Sequence, residues 1–276
     1  MTTTVFLVVC LAALLHATWN AFVKGGKDKD LAMAGVVIGH VPFALVALCF
    51  VELPAIDAWR LILASVVLHT LYQLFLLAAY RIGDLTQVYP LARGSAPLIV
   101  AGVSVAFLGV ALAPAELLGI GLIAAGIVSL ALVRRSDGLR NPRAALLSLG
   151  TGLFIAAYSI VDGLGARASG SPVGFYAVAA IGNAVVIAIF FMVRRPGTLR
   201  RLAFEGRSRL VFGGGASFAA YALVVWAFAH APIALVTALR ETSILFALLI
   251  GVFVLKERLD LAKVFSTMMT ICGAVL

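Results

Sequence analysis

A chain of 276 residues that is 63% hydrophobic and 12% charged, with mean hydropathy +1.12, excludes a soluble globular domain, where about 25% of residues are charged. The net charge of +9 does not point to nucleic acid, because the basic residues fill short gaps between apolar runs, where they act as topology signals and contacts for membrane lipids. Cys10, Cys49 and Cys272 lie inside apolar runs with no CxxC or Cys/His cluster, so neither disulfides nor a metal or other cofactor is expected.

Ten apolar runs of about 20 residues each are expected to cross the membrane as helices. They cover 4–23, 31–51, 61–80, 85–109, 117–133, 144–163, 172–193, 210–229, 233–255 and 261–276. The first lacks the basic flank of a secretory signal and is read as a helix, not a cleaved peptide. It carries His16, Trp19 and Asn20. Gly35 and Gly39 in the second form a small-xxx-small pair beside Pro42, which predicts close helix packing. His40 belongs to the second run, and His69, Tyr72 and Gln73 to the third. Intramembrane histidines can bind protons near neutral pH, and His16 and His69 are the proton candidates; their spacing gives no metal-ligand motif.

The fourth run holds the stretch that organises the reading, Val88-Tyr89-Pro90-Leu91-Ala92-Arg93-Gly94-Ser95-Ala96-Pro97. An arginine at mid-bilayer costs roughly 2.5–3.5 kcal/mol, which makes Arg93 a functional candidate. Pro97 and Pro90 deprive the carbonyls of Arg93 and Thr86 of their helical partners. Irregular backbone at this depth must be satisfied by protein or a water-filled cavity, so a broken helix beside a cavity is expected here, with Tyr89 and Ser95 on it.

In the sixth run Tyr158 is a candidate cavity residue, while Asp162 and Arg167 near its outer end are expected to be solvated. Tyr221 and Trp226 come from the eighth run and, with Trp19, Asn20, Tyr72 and Gln73 of the first and third, are candidates to line a substrate cavity; interhelical glue or interface anchoring is the competing reading for each alone. Its Gly213-Gly214-Gly215 is no phosphate loop, since no GK[ST] follows. The ninth carries Arg240-Glu241-Thr242-Ser243. Neighbours on a helix point to different faces, so Glu241 is expected to pair with Arg93 and not Arg240. Glu241 is read as the one carboxylate well inside a run and the leading proton-coupling group. Two guanidiniums against one carboxylate then leave a positive charge for an anionic or zwitterionic substrate, with Arg93 the favoured contact. A purely structural ion pair between the two halves is the competing reading. The tenth run is short and stops at Leu276, so it ends at the interface or continues beyond.

Of the 21 Lys and Arg, 17 fall in the loops after odd-numbered runs (counting Lys263 at the start of the tenth), Arg60 and Arg167 in the opposite loops, and Arg93 and Arg240 inside runs. The positive-inside rule then places both termini outside the cytoplasm, in the inner (plasma) membrane of the cell. The two halves also repeat. Phe107–Leu112 aligns with Val254–Leu259 at an offset of 147, which also pairs Arg93 with Arg240, Ser95 with Thr242 and Gly126 with Gly273. Gly83-Asp84-Leu85 faces Ala231-Pro232-Ile233 with one residue of slip. Five runs per copy is odd, so the second copy is inverted. Residues 1–133 form the first repeat, 134–143 a basic linker and 144–276 the second. Inverted repeats around a midplane site are the architecture of secondary transporters.

The His16-Ala17-Thr18-Trp19-Asn20-Ala21 opening, the Tyr89–Pro97 segment and the Leu255-Lys256-Glu257-Arg258-Leu259 turn resemble the EamA-type branch of the drug/metabolite transporter superfamily. The first copy departs from it, with Gly109-Val110-Ala111 where the family shows a Glu-Arg turn. The resemblance implies an all-α integral membrane fold of ten helices, two inverted five-helix repeats around a central cavity, with the fifth and tenth helices peripheral. It also implies transport or exchange of small metabolites. The partners expected are a small-molecule substrate and membrane lipids, with proton or exchange coupling, in a monomer or weak homodimer. An intramembrane enzyme needs paired carboxylates or a nucleophile with its base, and no catalytic residue of that kind is read; a non-transporting scaffold has no reason to keep three costly charges in its interior.

Overall fold

The computed structural model describes residues 1–23, 28–82, 85–133, 142–254 and 261–276. Gly83-Asp84, most of the basic linker and the Leu255–Leu259 turn lie outside the described residues, as do Lys24 and Lys27. Among the described residues regular structure is helical throughout. Among these residues seven segments are long and apolar enough to cross a membrane: Thr3–Asn20, Lys29–Leu48, Ile56–Ile82, Arg143–Ala168, Pro172–Arg194, Arg209–His230 and Ile233–Val254. Three shorter apolar helices, Leu91–Phe107, Pro114–Ser129 and Val264–Val275, occupy the fourth, fifth and tenth runs. This is a multi-pass membrane protein. Its outer surface agrees, because Val185, Ile189 and Met192 of one helix, a turn apart, are all about half exposed and apolar.

The first run is α1 (Thr3–Val23). The second is split at Gly39 into α2 (Lys29–Ile38) and α3 (His40–Leu48). Asp28 caps α2 by accepting the Leu31 N–H at 3.0 Å. That bond, and behind it the Arg201 guanidinium, holds the Asp28 carboxyl below the usual carboxylate range. The Gly39 backbone lies against Leu210 and Gly214, where a Cβ would collide with both, so the expected close approach is real and its partner is the eighth run. Next come α4 (Trp59–Ile82), α5 (Leu85–Phe107) and α6 (Pro114–Val133). Gly109 ends α5 in the left-handed region at φ +63°, which gives the departure at Gly109-Val110-Ala111 a backbone reason.

The second half runs α7 (Pro142–Ala168), α8 (Pro172–Arg194), the short α9 (Thr198–Glu205) and a π-helical turn (Arg209–Gly214) leading into α10 (Gly215–His230). It ends with α11 (Ile233–Arg240), α12 (Ser243–Leu249), a second π-helical turn (Ile250–Val254) and α13 (Leu261–Val275). At one end of the bundle Arg81 of α4 bonds Asp30 at 2.8 Å and Arg201 of α9 bonds Asp28 at 2.8 Å.

The break expected in the fourth run is in the ninth instead. α5 is continuous through Pro90 and Pro97, because a proline's fixed φ suits a helix and packing on both sides holds the remaining turns. A Cβ at Gly94 would strike Val128 and Ala124 of α6, and one at Gly152 of α7 would strike Ser95. The Gly-Ser pair thus serves close packing of α5 between α6 and α7. The helix breaks at Glu241-Thr242, where the N–H groups of Glu241, Thr242, Ile244 and Leu245 each donate to the carbonyl three residues back, at 2.9–3.1 Å.

α4 packs on α7 and α1 on α10; α5 packs on α7, and α1 on α11 and α12. α5 meets α6 as α12 meets α13, and α6 and α13 lie together. There a Cβ on Gly119 would strike Gly273 and one on Gly273 would strike Gly119, so two glycines bring the two backbones into contact.

Candidate functional site

The charges buried in the bundle meet where α1, α5 and the α11–α12 break converge. Arg93 lies mid-helix on α5 and reaches Glu241 with both arms of its fork, Nε to Oε2 at 2.7 Å and Nη2 to Oε1 at 2.7 Å. Its Nη1 is 2.9 Å from His16 Nε2 of α1. Trp19, one turn on, meets the His16 ring edge-on at 5.3 Å. The expected Arg93–Glu241 partnership is therefore formed, in bidentate geometry, with Glu241 only 2% exposed. Glu241 sits at the break in the ninth run, where its N–H donates to the Ala238 carbonyl at 3.0 Å.

Arg240 is 4% exposed, and its Nε lies 3.9 Å from Glu241 Oε1 with no hydrogen-bond partner among the described residues. Its guanidinium carbon sits 5.7 Å over the Tyr221 ring, a cation–π contact. Of the two arginines, Arg93 has its fork occupied and Arg240 has a buried donor to spare.

Beyond Tyr221 is a second cluster. Asp162 of α7 is fully buried and its Oδ2 accepts the Tyr221 hydroxyl at 2.7 Å. The same oxygen is 2.9 Å from His69 Nε2 of α4. Tyr158 stacks on His69 at 4.1 Å, and Tyr72 meets Tyr158 edge-on at 5.4 Å. This overturns the expectation of a solvated Asp162, and with it the count of a single intramembrane carboxylate. Two guanidiniums now face two carboxylates. Arg167, by contrast, is exposed and donates to the Phe228 and Ala231 carbonyls.

Other candidates fall elsewhere. Gln73 exchanges amide hydrogen bonds with Asn183 at 2.8 and 3.2 Å, and Asn183 also donates to Thr70 at 2.9 Å, a clamp between α4 and α8. Asn20 donates to the His16 carbonyl in its own helix, and Ser95 to those of Leu91 and Ala92. Trp226 stacks on the exposed His230 at 4.2 Å, at the end of α10. The Tyr89 side chain is outside the described residues. Tyr176 of α8 is an addition: it is buried, 4.9 Å from the Tyr221 ring, and its hydroxyl is 3.5 Å from His40.

Comparison with known sequences matches residues 142–276 to the EamA-like transporter family. This second half of the chain is similar to that family. EamA proteins form part of the drug/metabolite transporter superfamily. Among curated proteins no match is found. A solved crystal structure is similar over 100% of this chain and 96% of its own, with a TM-score of 0.77 at 17% identity, so the likeness of fold extends through both halves. The EamA-matched half supplies Tyr158, Asp162, Tyr221, Arg240 and Glu241, and the half before it His16, His69, Tyr72 and Arg93, so both clusters straddle the division.

Proposed function

We propose that the chain is a secondary transporter that moves small polar metabolites, amino-acid-like, carboxylate-bearing or zwitterionic, across the inner membrane by alternating access. The observation that carries this reading is a buried set of two guanidiniums and two carboxylates divided between the halves, with a donor of Arg240 unpartnered among the described residues. A membrane scaffold would not hold such charges in its interior, since each costs several kcal/mol to desolvate (about 3 on insertion scales).

Two inverted five-helix repeats fit the packing. Exchanging each run with the one five places along turns the α4–α7 contact into α10–α1, α5–α7 into the contacts of α11 and α12 with α1, and α5–α6 into α12–α13. The α6–α13 contact maps onto itself. Ten crossings with both termini non-cytoplasmic then account for the 17-to-2 division of loop cations. Glu241 keeps a place in coupling only through Arg93, whose fork it occupies.

Purified protein in liposomes is expected to exchange an internal labelled amino acid or carboxylate for an external one, at a rate that empty liposomes do not reach. Failure to move any of a broad metabolite panel overturns the reading. A reporter that works only in the cytoplasm, fused after Leu276, is expected to stay dark; strong signal reverses the orientation.

A further inference from the structure

Asp162 is unlike the other charged groups in the bundle. Its carboxylate is 0% exposed, Oδ2 is held by Tyr221 and His69, and Oδ1 has no hydrogen-bond partner among the described residues. His69 offsets its charge only when protonated. With neutral His69 a buried anion is left with one empty acceptor, which a cation with N–H donors would complete. The walls are aromatic. Tyr158 and Tyr221 lie 5.8 Å apart with their planes at 76°, and Tyr176 closes on Tyr221 at 4.9 Å and 62°. Electron-rich faces set at angles around a carboxylate are the surroundings that recognise ammonium ions. Surface remains for entry, since the His69 side chain keeps 15% of its exposure although it lies mid-helix on α4. Arg240, over the Tyr221 ring, supplies the opposite pole.

We infer that Asp162, enclosed by Tyr158, Tyr221 and Tyr176, is a binding site for the ammonium group of the transported substrate. This rests on the transporter reading and narrows it to amines and amino-acid-like zwitterions, with the amine at Asp162 and the anionic group toward Arg240.

The probes are n-butylamine, isoamylamine and 2-phenylethylamine as their ammonium ions, with sodium at equal concentration as the control. Binding to the full chain in detergent is read by thermal shift and titration calorimetry. At least one amine is expected to bind, and Asp162→Asn to weaken it about 30-fold or more, the loss typical of removing one partner of a buried charge pair. Tyr158→Leu keeps the charge and removes one aromatic wall, so it is expected to lose about tenfold, and it decides the matter where Asp162→Asn does not fold. No binding by any amine, equal stabilisation by sodium, or parental affinity in both variants overturns the site. Liposomes that transport carboxylates while no amine binds leave the transporter reading standing and remove this site. Asp162-dependent amine binding with no solute moved does the reverse.

Discussion

Arg93→Ala is expected to lower the unfolding free energy by about 3–5 kcal/mol, and Glu241→Ala by a similar amount. Each change strands the other member of the pair, which is 2% exposed for Glu241 and 10% for the Arg93 side chain. The desolvation penalty of the stranded ion sets this size, not the strength of the pair. Replacing both at once, Arg93→Met with Glu241→Leu, is therefore expected to recover most of the loss, since an apolar pair of similar volume carries no such penalty. Denaturation of the four proteins in one detergent measures this. Single variants within about 1 kcal/mol of the parent would show a pair as weakly coupled as a surface bridge. The double variant also separates stability from function. Its fold is expected to persist while transport is lost, because the tie from α5 to the α11–α12 break, and the contact of Arg93 with His16, are gone.

Runs of apolar residues gave the sequence its most secure features. Each crossing helix lies on one of them, and the offset that pairs Arg93 with Arg240 marked the two buried guanidiniums. The Arg93–Glu241 contact also followed from the sequence, because helix geometry forbids Arg240 from sharing a face with its neighbour. The break was misplaced for a physical reason. Proline is a local signal, but whether it breaks a helix depends on what packs beside it, and Gly94, Ser95 and Gly152 bring α6 and α7 close enough to hold α5 as one helix. Nothing local announces the break at Glu241-Thr242. Asp162 was misjudged by linear position. It sits at the end of the sixth apolar run, yet α7 continues to Ala168, about 9 Å further at 1.5 Å per residue. One signal for it was present, since Asp162 follows Tyr158 by four residues and so shares its face. The Gln73–Asn183 clamp joins residues 110 positions apart, which periodicity within one helix does not report.

Arg240→Gln is expected to weaken carboxylate binding by about 10- to 100-fold, the value of one or two charge-assisted hydrogen bonds at about 1.5–3 kcal/mol. The sequence alone favoured Arg93 for this contact, and the geometry transfers the role. Arg93 spends Nε and Nη2 on Glu241 and faces His16 with Nη1, so an incoming carboxylate would have to displace a partner already in place. Arg240 leans on the face of Tyr221, stands 3.9 Å from Glu241 Oε1, and leaves Nε unpartnered among the described residues. Arg240→Lys keeps the charge but loses the planar fork and its fit over the ring, so it is expected to fall between Arg240→Gln and the parent. Arg93→Lys is expected to act mainly on stability, through its bidentate bond to Glu241. Titration of a carboxylate that binds the parent, set beside the melting temperature of each variant, distinguishes the two roles. Affinity that falls with Arg93→Lys at unchanged melting temperature, and holds in Arg240→Gln, returns the anion contact to Arg93. Affinity that holds in every variant leaves both arginines structural and points to Asp162 as the group that selects the substrate.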